Sequence, residues 1–192
     1  SDVYKRQDVT YIQTRNFLQG GGTINAFTRN AGARLSVVDV GVNYDFGDLP
    51  GLVKRKVMHG ASDFSRGPAM TREQALECLQ VGIDMAREEK ARGLDIVAAG
   101  EMGIGNTTPS SAIVAVLTGT PVETVTGRGS GVKGEVIRKK IELIEQGIAL
   151  NKPDPSDAID VLAKVGGPEI GAMAGLMLGA ASLRVPIVIA SV

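Results

Sequence analysis

Three glycine-bearing turns, each set just before a helix-forming stretch, constrain this chain more than any other feature. Gly100-Glu101-Met102-Gly103-Ile104-Gly105-Asn106-Thr107-Thr108 follows the apolar run DIVAA. Gly127-Arg128-Gly129-Ser130-Gly131 follows ETVT. Gly166-Gly167 stands just before the stretch beginning near Pro168. A strand–glycine turn–helix unit leaves backbone N–H groups and the positive end of a helix at the C-terminal edge of a sheet, which suits an anion. Two such turns on adjoining strands would face one crevice, where doubly wound folds bind their ligands. A phosphorylated small molecule is therefore the expected ligand. The plainer role, tight turns and nothing more, stays open for any one loop.

The rest of the chain fits the same architecture. Val9–Ala31 reads as helix with Ile12, Phe17, Ile24 and Phe27 as its buried positions, interrupted at Gly20-Gly21-Gly22 by a packed bend or a break into two helices. Leu35–Val42 is a continuous apolar run with one acid, a buried parallel strand. Asn43–Ala69 has no clear period and reads as a long functional loop. Thr71–Arg92 is the clearest helix: Thr71 and Gln74 form a capping box, Leu76, Leu79, Ile83 and Ala86 share a face, and Gly93 sits where a C-cap glycine belongs.

Further along, Asp95–Ala99 and Glu123–Thr126 read as strands, and Pro109–Thr118 as a helix capped by Thr108. Lys133–Leu150 is a helix with the stripe Ile137, Ile141, Ile144 and Ile148. Ser156–Lys164 is a shorter helix capped by Asp154, Glu169–Ser182 a helix crowded with small residues, and Pro186–Ala190 a last strand. Strands alternating with helices predict an α/β fold: a doubly wound, mostly parallel, Rossmann-like sheet with helices on both faces.

Composition excludes several classes. The 21 Lys and Arg balance the 21 Asp and Glu, so there is no basic excess to attract nucleic acid or an anionic membrane. Aromatics make up 4% and Trp is absent, which leaves no platform for stacking bases. A single His and a single Cys exclude a His-based metal site and an internal disulfide. The segment Ile170–Val192 is apolar, but Arg184 and Pro186 fit a buried helix and strand better than a membrane span. No signal peptide is evident, and a cytoplasmic protein is the natural expectation. The first seven residues, SDVYKRQ, read as a non-native leader, and residues 8–192 as one α/β domain.

Glu101 is the leading candidate for chemistry. An acid at the end of a buried strand, beside an anion-binding loop, can accept a ligand N–H or hold a hydroxyl; its plainer role is to offset a helix dipole. Arg138, Lys139 and Lys140 lie on the helix after the second glycine loop, and spacing alone does not say which reaches a phosphate. Asp39 suits either a ribose hydroxyl or a loop cap. His59 is isolated in a loop, and Cys78 lies near an apolar stripe and reads as packing. Gly20-Gly21-Gly22 with Asp39 downstream does not make a dinucleotide fingerprint, because no strand precedes it, and GEMGIGNTT lacks the Lys-Ser/Thr ending of a P-loop.

GEMGIGNTTPSSAI, VTGRGSGV, KVGGPEIGAMAGLMLGAA and RVPIVI, with NFLQGGGTINAFTRNAGARLSVVDVGV and GPAMTREQAL upstream, occur in an order that resembles the nicotinate-nucleotide–dimethylbenzimidazole phosphoribosyltransferase family of cobalamin (vitamin B12) assembly. The resemblance runs from about Asp8 to the end. It implies transfer of phosphoribose from nicotinate mononucleotide to 5,6-dimethylbenzimidazole, giving α-ribazole 5′-phosphate and nicotinate, with no cofactor and no metal. It implies that Glu101 lies between the base pocket and the ribose and that Met102 lines the base pocket. The backbone of Gly103 and Gly129 would cradle the phosphate beside Asn106, with Lys140 as the cation. It also implies a homodimer in the full-length protein. The chain departs from the family in three ways: the main general base, a glutamate in a Gly-Glu-Gly type motif, is expected beyond Val192; the small helical domain is missing or incomplete; and Pro168 follows Gly-Gly where Phe is expected. Gln7 aligns with a glutamine near the base but falls in the leader. A truncated, catalytically weak nucleotide-binding module of the same fold is the alternative.

Overall fold

In the computed structural model, residues 9–127 and 135–189 are described. The leader, Gln7 and Gly129 lie outside them. The chain opens with helices α1 (Val9–Leu18) and α2 (Thr23–Ala31), which the glycine triplet separates. Gly20 takes a φ of +82°, and a Cβ at Gly22 would come within 2.5 Å of the Phe17 ring, so the bend is tightly packed. The inward positions are not the expected ones. Asn25 accepts from Gly22 N–H at 2.9 Å and donates to Phe17 O at 2.8 Å, and this pins α2 with Asn25 turned inward. Ile24 and Phe27 therefore face outward, Phe27 at 65% exposure, and on α1 it is Thr14 rather than Ile12 that is buried.

Strand β1 (Val37–Asp39) pairs in parallel with β2 (Leu52–Lys54), in register Val37 to Leu52 and Asp39 to Lys54. The stretch expected to be loop throughout thus carries a strand. Helix α3 (Arg72–Ala91) starts at the expected capping box: Thr71 Oγ1 accepts from Gln74 N–H at 3.2 Å and Gln74 Oε1 accepts from Thr71 N–H at 2.9 Å. Its buried face is Ala75, Cys78, Val81, Gly82, Met85 and Ala86, whereas Leu76 points outward. Strand β3 (Val97–Ala99) pairs in parallel with β4 (Ile187–Ile189), so that Ala99 and Ile189 end at one edge. The parallel α/β character holds, with the described strands grouped as two parallel pairs among eight described helices.

Helix α4 (Thr107–Thr118) begins two residues before the expected Pro109, with Asn106 and not Thr108 at the N-cap, and ends at Gly119 with φ +67°. The stretch expected as a third strand is a one-turn helix, α5 (Val122–Val125). Ser111 Oγ donates to Val125 O at 3.0 Å and Thr126 Oγ1 to Val122 O at 2.7 Å, so side-chain bonds close the turn against the β preference of its Val and Thr residues. Helix α6 (Glu135–Asn151) buries Ile144 completely at the centre of its stripe. Helix α7 (Ala158–Val165) is capped by Asp157, whose carboxylate accepts from Ile159 and Asp160 N–H; the expected cap, Asp154, bonds Ser156 instead. Helix α8 (Pro168–Ser182) packs closely along α3.

Small residues make that last contact. A Cβ on Gly175 would overlap the carbonyl of Leu79, and one on Gly82 the carbonyl of Ala172. The buried apolar residues form two clusters. Val40, Met70, Ala75, Cys78, Val81, Leu162 and Ala163 form one; Phe64, Ala69, Ala112, Ile144, Val161 and Val165 form the other. Helix α7 contributes to both. No described helix is long and apolar enough to cross a membrane.

Candidate active site

The loop from Gly100 to Asn106 leaves the C-terminal end of β3 and delivers the chain to α4. Gly105, at φ +100°, turns the backbone through the left-handed region where a side chain would be strained. Asn106 then occupies the N-cap, a position where an Asn side chain ordinarily accepts from the first-turn N–H groups. It makes no such bond. Its Nδ2 instead donates to Glu101 Oε2 at 2.6 Å, and the Asn106 side chain is buried. A cap forgone in favour of a bond to a half-buried acid is a local rule broken at a site.

Glu101 is an uncommon acid for this reason. Burial raises its carboxyl above the usual glutamate range, and the Asn106 amide pulls it partly back. A carboxylate so placed is a stronger base than a solvated one and ionises with one fixed donor.

Lys140 reaches the same place from α6. Its Nζ donates to Thr107 Oγ1 at 2.9 Å, which sets the ammonium beside the first residue of α4. Arg138 and Lys139 are exposed and instead border a surface hollow of about 550 Å³ with Glu135, Val136 and Glu142. Of the basic trio, then, the structure brings Lys140 to the glycine loop. Met102 and Gly103 sit half-buried in that loop, and Gly103 O accepts from Asn106 N–H at 3.4 Å.

Asp39 is structural. It is buried, pairs with Lys56 Nζ at 2.8 Å, and accepts from Val42 N–H at 2.9 Å. Cys78 is fully buried between α3 and α8, and burial first, then the charges of Glu169 and Glu77, push its thiol up to about 12. His59 is exposed.

The structure adds a residue that the sequence pattern does not single out. Glu169 is the second residue of α8, after Gly167 at the N-cap and Pro168 at the first position, where a missing N–H costs nothing. Its carboxylate folds back over Gly167, where a Cβ would come within 2.6 Å of Oε1. Burial raises the Glu169 carboxyl, its own backbone N–H lowers it, the Glu101 charge raises it, and the Asn106 side chain lowers it. Glu101, in the loop after β3, and Glu169, at the start of α8, thus both have their carboxyls raised by burial. The available signal was the third glycine turn itself, with an acid two residues beyond it. Pro168 meanwhile packs on the turn after β1, where a Cβ at Gly41 would approach Pro168 Cγ to 2.7 Å.

A parallel α/β core that brings an acid, an amide and a lysine to one glycine loop before a helix has the features that suit an anionic small molecule. The chain belongs to the phosphoribosyltransferase family, whose family model matches residues 3–191. It is 56% identical over 183 residues to the nicotinate-nucleotide–dimethylbenzimidazole phosphoribosyltransferase of Geobacter sulfurreducens, covering 95% of this chain and 52% of that protein. It is 53% identical to the protein of the same name from Geotalea uraniireducens, with the same coverage. Among solved structures it is similar to CobT from Thermus thermophilus, with a TM-score of 0.91 and 42% identity over 97% of this chain and 56% of that one. The chain spans about half the length of the curated relatives it matches.

Proposed function

We propose that this chain carries the nucleotide-holding part of an enzyme that transfers phosphoribose from nicotinate mononucleotide to 5,6-dimethylbenzimidazole, forming α-ribazole 5′-phosphate and nicotinate for cobalamin assembly. The observation that carries the reading is the convergence of the Glu101–Asn106 pair and the Lys140–Thr107 pair on one glycine loop. The names of the relatives supply the substrates.

The chemistry follows from the charges. A base nitrogen attacks ribose C1 as nicotinate leaves, and positive charge grows on the sugar. A carboxylate facing that sugar favours the developing cation. This is the role assigned to Glu101, with Asn106 fixing one carboxylate oxygen so that the charge is held in place. Lys140, the α4 N-terminus and the backbone of Gly103 and Gly129 bind the phosphate, an anchor remote from the reacting carbon that orients C1. Met102 supplies apolar surface to the incoming base. The main general base comes from a segment beyond Val192, and residues 8–192 act as the large α/β domain of a cytoplasmic homodimer.

The test is nicotinate release from nicotinate mononucleotide plus dimethylbenzimidazole, measured on this chain and on the full-length protein. Release by the longer protein alone, with nucleotide binding by both in calorimetry, is the expected result. Binding without turnover by either would instead support a non-catalytic nucleotide-binding module. No binding by either would sink both readings.

A further inference from the structure

A threonine inside a helix ordinarily donates its hydroxyl to the carbonyl four residues back. Thr14, Thr28 and Thr118 do so, at 2.8, 3.0 and 2.7 Å. Thr107 is placed differently. It is the first residue of α4, so no turn of helix lies behind it. Its hydroxyl oxygen accepts instead from Lys140 Nζ at 2.9 Å, 33 positions away in the chain. The backbone beneath that oxygen is held on both sides. Asn106, the residue before it, is buried and bonded to Glu101 at 2.6 Å. Ser111 Oγ donates to Thr107 O at 2.9 Å, and Pro109, buried two residues on, has a fixed φ. A β-branched side chain on a fixed backbone leaves its oxygen few directions. Lysine is the opposite case, a point charge on a flexible four-carbon stem.

From this geometry we infer that Thr107 is a positioning residue: its hydroxyl oxygen holds the Lys140 ammonium at the start of α4 before an anion arrives. An ammonium carries three hydrogens, and Thr107 takes one of them. Ordering a long side chain opposes binding, and a side chain ordered beforehand removes that opposition. Thr107 therefore raises affinity for a phosphate through Lys140, without touching the reacting carbon. This consequence rests on the phosphate-binding role proposed for Lys140; the threonine–lysine contact does not.

Two measurements on the full-length protein test the contact and its consequence separately. The first needs no ligand. The protein is treated with acetic anhydride, and acetylation of Lys140 is followed by mass spectrometry in wild type, Thr107→Val and Thr107→Ser. Acylation requires the free amine, and a hydrogen bond donated to Thr107 keeps the proton on the nitrogen. Valine keeps the shape and drops the oxygen, so Lys140 is expected to react several-fold faster. Serine keeps the oxygen, and the wild-type rate is expected to return. Lys139, exposed on the same helix, is the internal reference and is expected to react equally in all three. A Lys140 rate that does not change, or that changes together with Lys139, overturns the inference whether or not the protein is a transferase.

The second follows binding of nicotinate mononucleotide by calorimetry. Ordering one long side chain changes affinity by about two- to tenfold, so Thr107→Val is expected to weaken the nucleotide by about that factor and Thr107→Ser to recover most of it. In a Lys140→Met background, Thr107→Val is expected to add nothing, because the threonine acts through the ammonium. Losses that add, or a serine variant no better than the valine one, overturn the positioning role. Failure of the wild type to bind the nucleotide overturns the phosphate role of Lys140 and this consequence with it, while the labelling decides the contact by itself.

Discussion

At the scale of single residues, the site divides its work between charge and orientation. Lys140 supplies charge. Lys140→Met leaves the apolar stem and removes the ammonium beside Thr107. A hydrogen bond to a charged group contributes about 1.5–3 kcal/mol, so nucleotide affinity is expected to fall roughly ten- to hundredfold in calorimetry. Arg138→Met, on the same helix but exposed, serves as the control and is expected to leave affinity near wild type. Equal losses in the two would return the choice within the basic trio to where spacing left it.

In the proposed reaction Glu101 supplies negative charge to the sugar, and its burial sets the pH at which it can act. Because burial raises its carboxyl, the ionised form appears only above the ordinary glutamate range. The acid limb of the pH–rate profile is therefore expected above the 4.5 of a solvated glutamate, and Glu101→Gln is expected to lower kcat while removing that limb. A limb that persists in Glu101→Gln would assign it to another group. Glu101 stands out in the sequence as a candidate because an acid after a buried strand has few mundane uses, and the structure places it half-buried in the glycine loop. Asn106 was read only through the family resemblance, and Glu169 not at all. Asn106 bonds Glu101 in place of its own helix end and Glu169 folds back over Gly167, and no local pattern encodes either contact.

At the scale of elements, what was readable was what is decided locally. The Thr71–Gln74 box, Gly119 at the end of α4 and the break at Gly20–Gly22 all appear in the structure, since caps and left-handed glycines are chosen by their own backbone. Two stretches were misread for the opposite reason. Leu52–Lys54 is too short for alternation to show and becomes a strand only because β1 offers partners. Val122–Val125 has strand-forming residues, yet bonds from Ser111 and Thr126 wind it into a turn. Likewise α2 faces as Asn25 dictates and not as its apolar residues would. The α3–α8 pairing makes a sharper prediction. Gly175 faces the Leu79 carbonyl so closely that a single methyl cannot be accommodated without moving a helix. Alanine is normally the better helix former by about 1 kcal/mol. Here overpacking, typically about 1–3 kcal/mol, is expected to exceed that gain. Gly175→Ala should therefore lower the urea midpoint. The cost belongs to this one contact and not to the helix as a whole, because Ala180, further along α8 and fully buried, shows that the same helix accepts a methyl elsewhere. A raised midpoint would mean that the helices are less closely apposed than described.

At the scale of the whole molecule, a single buried acid, Glu169, ties stability to pH. The formal charges of the chain cancel, so pH acts on folding through individual shifted groups and less through net repulsion. Several surface acids are shifted down, among them Asp157 beside Arg72 and Asp160 beside Lys164. Their contribution is present above the ordinary carboxylate range and is lost as pH falls. Glu169 runs the other way. Its carboxyl is raised in the folded protein, so the unfolded chain releases that proton first. The stability it contributes is full below its unfolded value and declines as pH rises through the folded one. Replacing it by glutamine removes this one titration and leaves the surface acids in place. The difference in urea midpoint between Glu169→Gln and wild type is thus expected to grow in the variant's favour as pH rises past the ordinary glutamate value of 4.5 towards neutrality. A flat difference would mean that the carboxyl is not buried with its charge. The same variant would then gain stability relative to wild type towards neutral pH with the Glu101–Asn106 bond of the site left in place.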